Sequence, residues 1–226
     1  MQITSASHRW RVSLAKAIEI QRRLAGTVRH EPISGSVRFV AGVDMALSPD
    51  GRRCVAGVVL WDIREARVLE EHTAVRPLVF PYIPGLLSFR EAPVVIAALR
   101  KLKQDPDVVM CDGHGIAHPR RFGIASHVGV ILGRPTMGCA KSRLVGEHKT
   151  PGKKRGARTA LSHRCERIGT VLRTRDEVRP VYISIGNLVD LSSSERLALR
   201  CGDGFRIPAP TRLADHLVSQ ARKTLE

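Results

Sequence analysis

The sequence predicts a single mixed α/β domain, a central sheet flanked by helices, and three observations lead there. Two Val- and Ala-rich runs, Arg38 to Leu47 and Arg53 to Trp61, flank Ser48-Pro49-Asp50-Gly51, whose Pro and Gly form turns readily, so this region reads as a β-hairpin. Farther on, helical patterns alternate with short apolar strands, as in a mixed sheet with crossovers. Finally, 43% hydrophobic and 26% charged side chains over 226 residues describe an ordinary globular chain able to bury one sizeable core.

In chain order, Trp10, Leu14, Ile18 and Leu24 share a helical face, predicting an amphipathic helix over 7–25, within residues 1–30, that ends near Gly26. Residues 67–75 supply a third antiparallel strand after the hairpin. The stiff loop Phe80-Pro81-Tyr82-Ile83-Pro84-Gly85 leads to a helix reaching about Lys103. Ser88 and Glu91 have capping-box spacing, and Pro93 is tolerable in a first turn. Asp107 to Asp112 is a short apolar run suited to a buried parallel strand, with Asp112 at its C-terminal end. Residues 123–132 read as helix, 135–140 as extended, 167–173 and 178–185 as strands, and 192–201 and 210–223 as helices within the C-terminal 190–226. The polar, Gly-rich segment 146–165 reads as a basic surface loop.

A formal net charge of +16 makes a polyanionic partner the first suspicion. Residues 141–179 hold twelve basic and four acidic side chains, which concentrates the excess. No run of about 18 uncharged apolar residues occurs, so no membrane span is expected. The N-terminal residues lack a signal-peptide core, and the five cysteines show no CxxC spacing. Together these give the expectation of a cytoplasmic protein without a disulfide framework; a monomer is the expected assembly. No P-loop, GxSxG or strand-following GxGxxG is present, which removes the usual support for NTP hydrolysis and serine-hydrolase chemistry.

Three carboxylates stand out by position: Asp44 inside an apolar strand, Glu91 in a helical first turn and Asp112 at a strand end. A carboxylate in such a strand is costly unless paired or bound to a cation, and oxygen-only ligands favour magnesium or manganese. The bland alternatives are a solvent-facing Asp44, a capping Glu91 and a turn-capping Asp112. Asp112-Gly113-His114-Gly115-Ile116-Ala117-His118-Pro119-Arg120-Arg121 adds glycines that admit a ligand to the backbone, histidines suited to proton relay and arginines suited to phosphate. Zinc is the rival reading of His114 and His118. Lys141 is placed to steady a phosphate or an oxyanion. Tyr82, in its proline-stiffened loop, suits stacking on or wedging between bases.

The runs Phe39 to Asp44, Pro81 to Glu91 and Asp112 to Arg121 resemble the endonuclease V family, the deoxyinosine-directed repair nucleases. Further similarity runs through Gly123 to His127, Pro135 to Lys141, Val181 to Gly186 and Arg206 to Arg212, nearly the whole chain. The resemblance implies an RNase H-like fold with a mixed five-stranded core sheet. It implies a magnesium-dependent endonuclease, with manganese able to substitute, that cuts DNA at the second phosphodiester bond 3′ to deoxyinosine and leaves 3′-hydroxyl and 5′-phosphate ends. Asp44 and Asp112 would be the metal ligands, and Glu91 would complete the acidic cluster. Lys141 and His118 would offset transition-state charge. Tyr82, flanked by Pro81, Ile83, Pro84 and Gly85, would be part of a wedge, and Gly113, His114, Gly115 and Ile116 would form the pocket for extruded hypoxanthine. Arg120 and Arg121 would join the substrate contacts.

Two positions depart from the family pattern. Asn187 replaces a histidine counted with the active site, and an amide cannot act as general base. His114 stands where glutamine or asparagine is common. The alternatives are an inosine-specific endoribonuclease of the same fold, which the resemblance also allows, or, because Asn187 replaces the usual histidine, a catalytically impaired nucleic-acid-binding protein.

Overall fold

The hairpin near residue 50 forms where its turn residues place it. In the computed structural model, which describes residues 8–225, β1 (Phe39–Leu47) and β2 (Arg53–Asp62) pair antiparallel. The Ser48 amide donates to the Arg53 carbonyl and its hydroxyl accepts from the Arg53 amide, both at 2.9 Å. Gly51 takes a φ of 68°, a left-handed conformation that side chains resist.

β3 (Arg67–Pro77) joins β2, while β4 (Val108–Cys111) and then β5 (Thr136–Ala140) lie parallel on the other side of β1. These five strands, in spatial order β3-β2-β1-β4-β5, form the mixed sheet that the family resemblance implies. Three more extend it to eight: β6 (Arg158–His163) and β7 (Glu166–Leu172) form a hairpin at the edge, joined to β5 through β8 (Val181–Asn187).

Helices cover both faces, and apart from Asp44 the central strands β1 and β4 are apolar, with every residue of β4 buried. α2 (Leu87–Leu99) and α3 (Ile124–Leu132) pack over Ala41, Val43 and Val109. On the opposite face α4 (Leu191–Arg200) and α5 (Ala209–Lys223) meet Val40, Met110 and Ile183. α1 (Leu14–Ala25) sends Ala17, Ile20 and Leu24 into a cluster with Phe80, Phe89 and Val130. No helix among the described residues is long and apolar enough to cross a membrane, and the five cysteines are free.

Four local expectations are corrected. The first helix starts at Leu14, capped by Ser13, and buries Ala17, Ile20, Gln21 and Leu24, leaving Leu14 48% exposed; residues 1–7 of the expected segment lie outside the described residues. Trp10 precedes this helix because its ring joins His8, Phe89 and His127. Ser88 forms no capping box: α2 begins at Leu87, so Ser88 lies inside the helix, and its hydroxyl is hydrogen-bonded to His127 Nδ1 at 2.8 Å. Pro93 therefore falls beyond the first turn and denies the Phe89 carbonyl its helical donor. Within the expected loop 146–165, residues 158–163 are strand β6, which reverses at Arg164 and Cys165, both at positive φ. β6 is an edge strand with only Leu161 buried, and exposed charge is how such an edge resists pairing with other chains.

Candidate active site

The site begins with register. β1 and β4 are parallel with Val43 opposite Cys111, and the Asp112 amide donates to the Val43 carbonyl at 3.1 Å, so Asp44 and Asp112 become neighbours at the C-terminal edge of the sheet. Asp44 shares its strand face with Gly42, two residues before it. That face must admit α5: a Cβ on Gly42 would lie 2.0 Å from the Pro210 carbonyl carbon, and one on Gly57, paired with Asp44, 2.9 Å from Val218. These glycines let the helix settle on the sheet, and the helix delivers Asp215. One carboxylate oxygen from each of Asp44, Asp112 and Asp215 falls within 4.8 Å of the other two.

Asp215 is the residue that the sequence reading missed. Two signals point to it afterwards: the paired strand glycines mark a close helix, and the position next to buried Ala214 sets Asp215 beside the packed face of α5.

Lys141, just past β5, reaches Asp112 at 2.6 Å and Asp215 at 3.4 Å. Glu91 approaches from α2 and shares with Asp44 and Asp112 a cavity of about 90 Å³. Burial, then the charge of Asp112 and a hydrogen bond with Asp215, pushes Asp44 up to about 7. Burial, then the charge of Asp44, pushes Glu91 up to about 8. Asp112 is also raised by burial, against the opposing pull of Lys141. More negative charge converges here than one ammonium balances, and all of its donors are oxygens, so the residues fit a hard divalent cation.

A larger cavity, about 230 Å³, adjoins this cluster on the α2 side. It is lined by the loop Tyr82, Ile83, Pro84 and Gly85, by Asp112, Gly113 and His114 after β4, and by Arg143 and Leu144 after β5. Tyr82 stands 68% exposed at the rim. His114 donates from Nε2 to the Ser142 carbonyl at 3.0 Å, which leaves buried Nδ1 a bare acceptor without a partner.

Other expected contacts are committed elsewhere. Gly115 and Ile116 stand behind the cavity, where their amides bond the Ser184 hydroxyl and the Ile185 carbonyl of β8. His118, which also lines the cavity, donates to the Gly85 carbonyl and accepts from the Arg120 amide, and burial pushes it down to about 4. Arg120 bonds Gln21 and the Gly85 carbonyl, and Arg121 bonds Glu166 and residues of the His118 and His163 turns. Both arginines brace the cavity wall rather than wait for phosphate. With their ring nitrogens engaged or buried, His114 and His118 form no zinc site among the described residues.

The family profile described as endonuclease V matches residues 19–216. The endonuclease V of Methanothrix thermoacetophila is 49% identical, over 96% of this chain and 95% of its own. The chain belongs to the endonuclease V family. The crystal structure of the Streptomyces avermitilis endonuclease V is similar at a TM-score of 0.90 and 41% identity, covering 95% of both chains. A Ciona intestinalis endonuclease V, crystallised with a 24mer DNA containing an inosine followed by a ribo-adenosine, shares the fold at a TM-score of 0.83 and 24% identity, over 94% of this chain and 99% of its own. Endonuclease V proteins are nucleases, hydrolases of DNA phosphodiester bonds, and this family member is an enzyme of that class.

Asn187 has no place in that chemistry. It pairs with Thr136 at the start of β5, five residues and roughly 16 Å of strand from Lys141. Its side chain accepts from the Arg29 amide and donates to the Gly129 carbonyl, tying the segment after α1 to α3. In this endonuclease V family member the position is structural, because β8 runs antiparallel to β5 and ends at the opposite edge. Much of the 141–179 charge is likewise internal: Arg158 and Arg167 pair with Glu195, Lys153 with Glu177, Lys154 with Asp176, and buried Arg173 holds the Pro151 and Gly152 carbonyls.

Proposed function

We propose that this protein is a magnesium-dependent DNA repair endonuclease that hydrolyses the second phosphodiester bond 3′ to deoxyinosine, leaving 3′-hydroxyl and 5′-phosphate ends. The observation that carries the reading is the Asp44, Asp112 and Asp215 cluster set beside the Tyr82 cavity, a cutting centre next to a base-sized recess. The inosine-containing DNA held by the Ciona protein supports the substrate.

Asp44, Asp112 and Asp215 would hold the magnesium ion, and manganese is expected to substitute. When bound, the ion would supply Lewis acidity to the scissile phosphate and lower the pKa of an attacking water. Glu91 completes the acidic ring from the α2 side, and Lys141 sets a positive charge where the phosphate gathers negative charge. Tyr82 fills the stack vacated by the extruded nucleotide, while Gly113, His114 and Leu144 enclose the hypoxanthine. Because Asn187 lies at the far edge, its departure from the family pattern takes nothing from catalysis.

Asp44→Ala and Asp112→Ala should abolish cleavage of a deoxyinosine duplex yet retain binding when calcium replaces magnesium. An active Asp44→Ala variant refutes the assignment. Affinity should fall with salt at a log–log slope of about −0.9 per phosphate neutralised. Faster cleavage of the matching inosine RNA strand would overturn the DNA preference.

A further inference from the structure

Among the described residues, only two of the exposed large apolar side chains are aromatic, Tyr82 and Phe205. Tyr82 belongs to the cavity already described. Phe205, 52% exposed, lies in the loop between α4 and α5. Its ring is not loose: the Arg212 guanidinium carbon stands 4.2 Å from its centroid, and Arg212 is itself fixed by an ion pair with Asp203. One face thus rests on a cation and the remainder is open to solvent.

Two independent routes tie this ring to the carboxylates. Along α5, Arg212 lies one turn before Asp215, and residues at that spacing are neighbours on a helix surface. Along the loop, the adjacent Arg206 donates to the carbonyls of Lys141, Arg179 and Pro180, and Lys141 reaches Asp112. Phe205 therefore flanks the cluster from the α5 face of the sheet, whereas Tyr82 and its cavity flank it from the α2 face.

We propose that Phe205, seated on Arg212, is the stacking platform for the first base beyond the scissile phosphate on its 3′ side. The inference rests on the proposed function, because a strand with its lesion in the Tyr82 cavity and the bond 3′ to it at the carboxylates continues onto the α5 face. An exposed ring backed by a guanidinium suits a position that must accept any base, since every base offers a π-face. A rigid platform there holds the strand on both sides of the cut and aligns the phosphate between them. Phe205 is thus a positioning residue.

The test combines Phe205→Ala with a deoxyinosine substrate carrying a tetrahydrofuran abasic residue at the first nucleotide beyond the cut. Base stacking predicts a loss of about 10-fold in kcat/KM for the variant on the normal strand. Wild type should lose about as much on the abasic strand, the combination should lose little more, and Phe205→Trp should restore the rate on the normal strand. Wild-type rates for Phe205→Ala, or equal losses on both strands, would overturn the proposal. Should wild type cleave neither strand, the proposed function fails, and the same four combinations measured as Kd in calcium still decide on Phe205: coupled losses support the platform, and additive or absent losses refute it.

Discussion

Replacing Gly42 by alanine should separate the catalytic carboxylates without touching one of them. The new Cβ would sit 2.0 Å from the Pro210 carbonyl carbon, 2.1 Å from its oxygen and 2.5 Å from the Thr211 nitrogen, all backbone atoms of the first turn of α5. Ordinary contact begins near 3.4 Å, so the helix must retreat by more than 1 Å or the strand must bend. Overpacking of this kind costs about 1–3 kcal/mol, and in a chain of this size each kcal/mol lowers Tm by about 2–4 °C. The larger effect is on rate: α5 carries Asp215, and misplacement by about 1 Å can cost on the order of 100-fold. Gly57→Ala, meeting a movable Val218 methyl at 2.9 Å, should do the same more weakly, and Gly152→Ala, with nothing nearer than 3.5 Å, should do neither. Thermal melts alongside single-turnover cleavage over a magnesium series measure both effects. A Gly42→Ala protein with wild-type cleavage and magnesium requirement would refute the claim that close packing of α5 builds the site.

Asp215→Asn should weaken magnesium binding by at least about 10-fold, the scale of losing even an outer partner of a metal ligand, and calorimetry with the metal alone reads this directly. The carboxyl shifts make a pH prediction. Asp44 and Glu91 release protons near pH 4 when unfolded but hold them until about 7 and 8 when folded, so the folded state binds more protons in that window and stability falls as pH rises. Buried His114 and His118, pushed down to about 4, act oppositely and only below about 6.5. Between pH 6.5 and 8.5 the Tm in EDTA should therefore drop, and magnesium should remove the drop; a rising Tm in EDTA contradicts the charge balance described. Asn187→Ala strands the Arg29 amide, whereas the Gly129 carbonyl keeps its bonds from the Gly133 and Arg134 amides, so it should cost about 1–3 kcal/mol in urea denaturation yet leave the cleavage rate of the folded protein unchanged.

The sequence made some parts of this protein legible for identifiable physical reasons. A Pro- and Gly-bearing turn between Val-rich runs leaves one local solution, and a short apolar run ending in aspartate placed Asp112 at the mouth of a parallel strand. Asp44 stood out because a charge inside such a strand needs a partner. Asp215 gave no comparable signal, since an aspartate on an amphipathic helix is ordinary until the sheet glycines bring that helix close. β6 was hidden because an edge strand with one buried residue has no apolar alternation to read. Ser88 and Glu91 matched a capping box in spacing, but the serine hydroxyl found His127 from another helix, a tertiary contact that local pattern does not carry. Asn187 was drawn into the site by family likeness; the antiparallel course of β8 put it at the other edge.

The most direct test is cleavage of an end-labelled duplex carrying one deoxyinosine, in magnesium and in EDTA, beside the undamaged duplex, with the nick mapped to the nucleotide. The account predicts a magnesium-dependent cut at the second phosphodiester bond 3′ to deoxyinosine and none in the control. Equal cutting of both duplexes, cleavage in EDTA, or an intact deoxyinosine strand in magnesium would contradict it.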